Sequence, residues 1–187
     1  MKKLLLLALI FFSLQMSNAQ FIKEKSLNVS LGLGFSYPDE SATEAYAAGF
    51  LSQAELILKA KSWLELRPYA GFIYTDASDE DLNGNVTDER VETTAFYFGG
   101  KGRLRAPIPY VAPFIEIGVG VSIGSFITST IVYDVDRFGV AYHIPLAFGL
   151  ELGKNHNVDL GFMYLFHPGE AQFSGALSVG VTIPLNK

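Results

Sequence analysis

From Phe138 to Leu152 the sequence alternates without a break. Phe138, Val140, Tyr142, Ile144, Leu146, Phe148, Leu150 and Leu152 are bulky and apolar, and between them stand Gly139, Ala141, His143, Pro145, Ala147, Gly149 and Glu151. A period of two places successive side chains on opposite faces of a β-strand. The constraint lies less in the alternation than in the face opposite the apolar one, which is mostly Gly and Ala. A soluble sheet points its large apolar residues into a core and wets the other face with Lys, Glu, Thr and Arg. Water does not require small residues, but the lumen of a narrow closed barrel does, because eight strands leave only enough room for side chains to fill it. A bilayer accepts the continuous apolar belt. Burying one Leu or Phe is worth about 1.5–3 kcal/mol over leaving it in water, so dozens of them require such a surrounding.

The same pattern recurs along the chain. Leu27, Val29, Leu31, Leu33, Phe35 and Tyr37 alternate with Asn28, Ser30, Gly32, Gly34 and Ser36. Further runs carry Leu64, Leu66, Ala70, Phe72 and Tyr74; then Thr94, Phe96, Phe98 and Leu104; then Val111, Ile115, Ile117, Val119, Val121 and Ile123. Val158 to Phe166 and Phe173 to Leu185 follow the 138–152 run, and a weaker run from Phe50 to Lys59 makes eight. Residues 42–60 are rich in helix formers, and Ala47, Phe50, Leu51, Ala54 and Leu58 also fit a helical stripe, so strand and partial helix both stay open there. An even strand number favours the strand. Connections after the second, fourth and sixth runs are tight (60–62, 106–109 and 154–157). Those after the first, third and fifth are longer and polar (38–48, 76–90 and 125–136). This alternation predicts an all-β, eight-stranded antiparallel up-and-down transmembrane β-barrel. A secreted sandwich or lipocalin-like barrel would exchange inside and outside.

Lys2 and Lys3, the apolar run Leu4 to Leu14 and the small residues Ser17 and Ala19 read as a signal peptide cut after Ala19. That divides the chain into residues 1–19, removed on export, and a single barrel domain, 20–187. The apolar run is shorter than the roughly 20 residues of a membrane-spanning helix. Loss of the two lysines takes the formal charge from −5 to −7. With no basic cluster, nucleic acid is excluded as a partner. There is no cysteine, hence no disulfide framework.

The leader, the eight alternating strands and the closing SGALSVGVTIPL resemble small outer-membrane barrels of the OmpA/OmpX type, over essentially the whole mature chain. The resemblance rests on pattern, not on a diagnostic motif. It implies a monomer in the bacterial outer membrane with both termini periplasmic and no cofactor. It also implies insertion by the barrel-assembly machinery and contact with outer-membrane lipids and lipopolysaccharide. The chain departs from the type in ending Pro184-Leu185-Asn186-Lys187 rather than on an aromatic residue. No peptidoglycan-binding domain is expected, so the wall-anchoring role of longer relatives is not carried over.

The small face also carries charge. Glu55, Glu65, Arg67, Lys101, Arg103, Arg105, Glu116, Glu151 and Asp159 fall inside, mostly near the tight turns. Buried charges must pair, and five acids face four bases. A salt-bridge plug is the structural expectation, and a gated ion path the functional alternative. The expected role is structural or surface-interacting, in envelope integrity or adhesion. A narrow small-solute channel and a lipid A-modifying enzyme are the alternatives. For an enzyme, His143 lies mid-strand, His156 in a turn and His167 at a strand end, with Ser174 the one candidate serine for His167. Asp79, Asp81, Asn83 and Gly84 match the opening of a calcium loop, but its twelfth position is Arg90 where a bidentate Glu is needed, so no metal is assigned. A tight Asn83-Gly84 turn is the plainer reading. Pro68 and Pro113 predict bulges or strand ends, since a closed barrel has no free edge. Pro145, mid-run, conflicts with the pattern.

Overall fold

The computed structural model describes residues 22–38, 46–77, 89–130, 134–170 and 172–185. The expected leader and the Asp79, Asp81, Asn83 and Gly84 segment lie outside them. Eight strands follow in order: β1 (Glu24–Pro38), β2 (Ala47–Lys61), β3 (Leu64–Ala77), β4 (Arg90–Arg105), β5 (Val111–Ser129), β6 (Asp134–Leu152), β7 (Val158–His167) and β8 (Gln172–Pro184). Each is antiparallel to the next, and β1 pairs with β8, so the sheet closes on itself. Closure leaves no open edge, the condition a sheet must meet where no water can satisfy its backbone.

The faces divide as the alternation predicts. On β6, Phe138, Val140, Tyr142, Leu146, Phe148 and Leu150 are exposed on the outside, and Ala141, His143, Pro145, Ala147 and Glu151 are buried within. Residues 47–61 form a strand: Leu51, Gln53, Glu55 and Ile57 point in, and Phe50, Ala54 and Leu56 point out. Hydrogen-bonded neighbours on both sides outweigh its helix-forming composition. Only one register shift interrupts the β2–β3 ladder, at Lys59 and Lys61 beside the turn.

The small inward residues make room for large ones from other strands. A Cβ on Gly120 would lie 2.3 Å from Tyr69 Oη and 2.4 Å from His143 Nε2, and one on Gly71 would meet the Tyr97 ring at 2.5 Å. Tyr69 and Tyr97 join Leu51, Ile73, Phe126 and Leu165 in the apolar part of the lumen.

Three sequence expectations change. Pro68 causes neither a bulge nor a strand end. The β2–β3 ladder lapses opposite it, between the pairs Glu55–Tyr69 and Leu58–Leu66, and resumes in the same register. Pro145 is accommodated in the same way: it keeps Leu165 as partner on β7, while the β5–β6 ladder skips from Ile117–Leu146 to Gly120–His143. The missing N–H thus costs a local gap on one side of the strand, with no change of pairing. Pro113 does lie at a ladder end, one residue beyond the last β4–β5 pair, Arg105–Phe114. The third long connection is mostly strand, because β5 and β6 stay paired up to Ser129 and Asp134.

Candidate functional site

The charged residues of the small face meet in the half of the lumen nearer the tight turns. Arg67, 1% exposed, is the hub: Nη1 donates to Glu55 Oε2 at 2.8 Å and Nη2 to Glu65 Oε2 at 2.7 Å. Its Nη2 also approaches Glu151 Oε1 at 3.4 Å. Lys101 Nζ pairs with Glu55 and, at 2.7 Å, with Glu116 Oε2. Arg103 pairs through Nε with Glu116 and through Nη1 with Glu151 Oε1 at 2.7 Å and Asp159 Oδ2 at 2.9 Å, its guanidinium 3.5 Å from the Phe114 ring centre. Arg105, nearest the mouth, pairs with Glu151 and donates from Nε to Ser62 O at 2.9 Å. All nine side chains therefore belong to one network drawn from six strands, β2 to β7. Pairing of this kind offsets a desolvation cost of several kcal/mol per ion.

Beyond this layer lies a chain of phenol, imidazole and hydroxyl groups. Tyr69 Oη is 2.7 Å from His143 Nε2, His143 Nδ1 is 2.8 Å from Ser122 Oγ, and the same hydroxyl is 3.0 Å from His167 Nε2. Ser122 has one hydrogen, so one of the two ring nitrogens must donate to it. Further along, Ser36, Thr75, Thr93 and Ser174 form a hydroxyl cluster with contacts of 2.8–3.1 Å. Gln172 donates to Thr93 Oγ1 at 3.0 Å and accepts from Thr128 at 3.1 Å. The pairing of His167 with Ser174 is not formed. Its serine neighbour is Ser122, and Ser174 is engaged by Ser36 and Thr93. At His167 Nδ1, where a hydrolase triad places its acid, no described carboxylate is hydrogen-bonded. His156 sits in a turn with φ 51° and bonds through Nε2 to Ile108 O at 2.9 Å, which makes that nitrogen the donor.

Alternation along β5 puts Ser122 in the lumen with Gly118, Gly120 and Gly124, but nothing in the sequence joins it to the two histidines or gathers Ser174 into a hydroxyl cluster. Their inward positions follow from the alternation. Their mutual contacts depend on strand registers, which pattern alone does not specify. Arg90, at the twelfth position of the calcium-type segment, pairs with Glu92 at 2.8 Å. Among the described residues no group of three or more His, Asp or Glu is placed to hold a metal ion.

The chain matches no protein-family model and no curated protein. Its structure is similar to that of Neisserial surface protein A, with a TM-score of 0.57 and 14% identity over 85% of this chain and 96% of that one. Lower scores relate it to Ail, the attachment invasion locus protein of Yersinia pestis (TM-score 0.49, 14% identity, 87% and 99% coverage). The outer membrane enzyme PagL scores 0.45, with 16% identity and coverage of 84% and 99%. At these identities the likeness is one of fold, the small closed barrel of outer-membrane proteins.

Proposed function

We propose that the chain is an integral outer-membrane barrel with a packed lumen, serving a structural or surface-interaction role and carrying out no catalysis. The observation that carries this reading is the charge layer: nine acidic and basic side chains interlock across the lumen, eight of them buried. The space left within the layer is about 30 Å³, comparable to the volume of one water. A diffusion pore needs a continuous aqueous path, which barrels of about 16 strands provide. The fold shared with a protein described as a Neisserial surface protein supports surface display of the longer connections. The surroundings are outer-membrane lipids, with lipopolysaccharide outside; the barrel-assembly machinery inserts the chain, and the barrel works as a monomer. Against the enzyme reading, the Ser122 and His167 pair is buried, and among the described residues no carboxylate orients His167 as in a triad.

Two measurements test the proposal. Purified protein should migrate on gels in a heat-modifiable way and stay silent in planar bilayers; steady single-channel steps would replace the packed barrel with the channel. Expression of the protein should leave the lipid A mass spectrum unchanged, and loss of an acyl chain would restore the enzyme.

A further inference from the structure

The outer wall is hollowed on β4. Its outward positions run Thr94, Phe96, Phe98, Gly100, Gly102 and Leu104, so bulk gives way to two glycines and then returns. Pro68 and Leu66 stand beside them on β3, and Val119 and Ile117 on β5. These four side chains wall a groove of about 520 Å³. Its floor is backbone, because Arg67 and Lys101, which also border it, send their side chains into the lumen.

Nothing inside the barrel calls for these two glycines. A Cβ on the inward-facing Gly99, Gly118 or Gly124 would meet a neighbour at 2.3 Å or less. One on Gly100 meets nothing within 4 Å, and one on Gly102 only Ile117 O at 4.0 Å. Glycine inside a strand often marks a bulge, or the close approach of a ligand or another backbone. The bulge is excluded, since β4 keeps an unbroken register with β3 and with β5. Close approach from outside remains. A second copy fits poorly: a two-fold contact sets a patch against itself, and two hollows face to face enclose a void. An acyl chain follows the groove and regains the dispersion contacts that an empty hollow forgoes.

Register also places a headgroup station. Lys61 pairs with Leu64, Leu64 with Leu104 and Leu104 with Ile115, so Lys61 stands on the outer face in the row next to the groove, toward the tight turns. That row lies roughly 7 Å along the strand from Gly102. Lys61 Nζ is 5.4 Å from the centre of the Trp63 ring, and both residues are exposed. Lysine and tryptophan at the edge of the hydrocarbon reach for the headgroup level. The one acid of this mouth outside the lumen layer, Glu24, is taken by Lys59 at 2.7 Å. Lys61 is left to meet an anion from the membrane.

We propose that the groove at Gly100 and Gly102 holds one acyl chain of an anionic diacyl phospholipid from the leaflet on the tight-turn side, with its phosphate bound by Lys61 beside Trp63. The proposal rests on the outer-membrane reading and adds a defined lipid site to it.

The test is native mass spectrometry of the full barrel released from detergent micelles doped with phosphatidylglycerol or phosphatidylcholine of identical chains. One phosphatidylglycerol should stay bound, about fivefold more often than phosphatidylcholine at low salt, the preference that one lysine near an anionic surface confers. Gly100→Leu with Gly102→Leu fills the groove from outside and should abolish the retained lipid without lowering the melting midpoint. If the leucines prevent folding, Gly100→Ala with Gly102→Ala should weaken retention instead. Lys61→Gln should keep the chain and equalise the two headgroups. No retained lipid in the wild type, retention undiminished in the filled variant that folds, or a headgroup preference untouched by Lys61→Gln each overturn the proposal. So does a wild-type dimer that the filled variant loses, which makes a second copy the occupant. A barrel soluble without detergent would instead sink the membrane reading itself, so the two failures are distinguishable.

Discussion

The two halves of the lumen are filled by opposite means. Toward the tight turns, nine charged side chains interlock around Arg67 and Arg103. Toward the other end, hydroxyls, amides, imidazoles and apolar rings do most of the same work, beside a buried Glu170 carboxylate that accepts from Arg137 at 3.1 Å: Ser36, Thr75, Thr93, Ser174, Gln172, Phe126 and Leu165 are all essentially inaccessible to solvent. The same wall and the same alternation serve both, so the difference is in the cost of an error. A neutral hydroxyl that loses a neighbour gives up one ordinary hydrogen bond, whereas an ion that loses its neighbour stays charged in a dry interior.

Substitutions should separate the halves by magnitude. Arg103→Met removes one cationic partner from each of Glu116, Glu151 and Asp159 and leaves Asp159 with only the longer Arg67 contact at 3.6 Å, so it should cost about 3–5 kcal/mol in a urea titration of the folded barrel. Pairing it with Glu116→Gln should cost less than the two single losses added together, and strict additivity would dissolve the idea of a network. Gly120→Val tests the crowded middle: its side chain would enter the space of Tyr69 and His143, and overpacking of that kind costs about 1–3 kcal/mol. Gly100→Ala is the control, since a Cβ there meets nothing within 4 Å, and thermal melts of the two should differ clearly. In the other half, Thr93→Val removes the hydroxyl shared by Ser36, Ser174 and Gln172 and should lower stability by about 1 kcal/mol. Smallest of all, Arg90→Ala breaks an exposed pair with Glu92 and should change the melt by no more than about 0.5 kcal/mol.

What was legible in the sequence follows the physical reach of each signal. Alternation acts locally, so the inward and outward positions of β1 to β8 could be read directly, including the burial of Glu55, Arg67, Arg103 and Glu151. Register is a property of two strands at once. The meeting of Ser122 with His143 and His167, on three different strands, could not be read from any one of them. Local preference also misled at the prolines. Pro68 and Pro145 favour bulges or breaks in isolation, yet a closed ladder holds its register across one missing donor because pairs on either side pin it. Composition was ambiguous for residues 47–61 because their helix-forming residues say nothing of the partners that β1 and β3 provide.

The charge layer has a consequence for how the wall is put together. Taken as hairpins, β4–β5 brings Lys101, Arg103 and Arg105 against Glu116, a surplus of two positive charges. The β6–β7 hairpin brings Glu151 and Asp159, a surplus of two negative, and β2–β3 brings Glu55 and Glu65 against Arg67, a surplus of one negative. No hairpin is balanced by itself, and the strongly basic one lies between the two acidic ones in the order of synthesis. Each piece thus carries an electrostatic complement to the next. A barrel that joined them in the wrong order, or sealed early without one, would trap unpaired ions in its own interior, so the finished lumen also records that assembly went correctly.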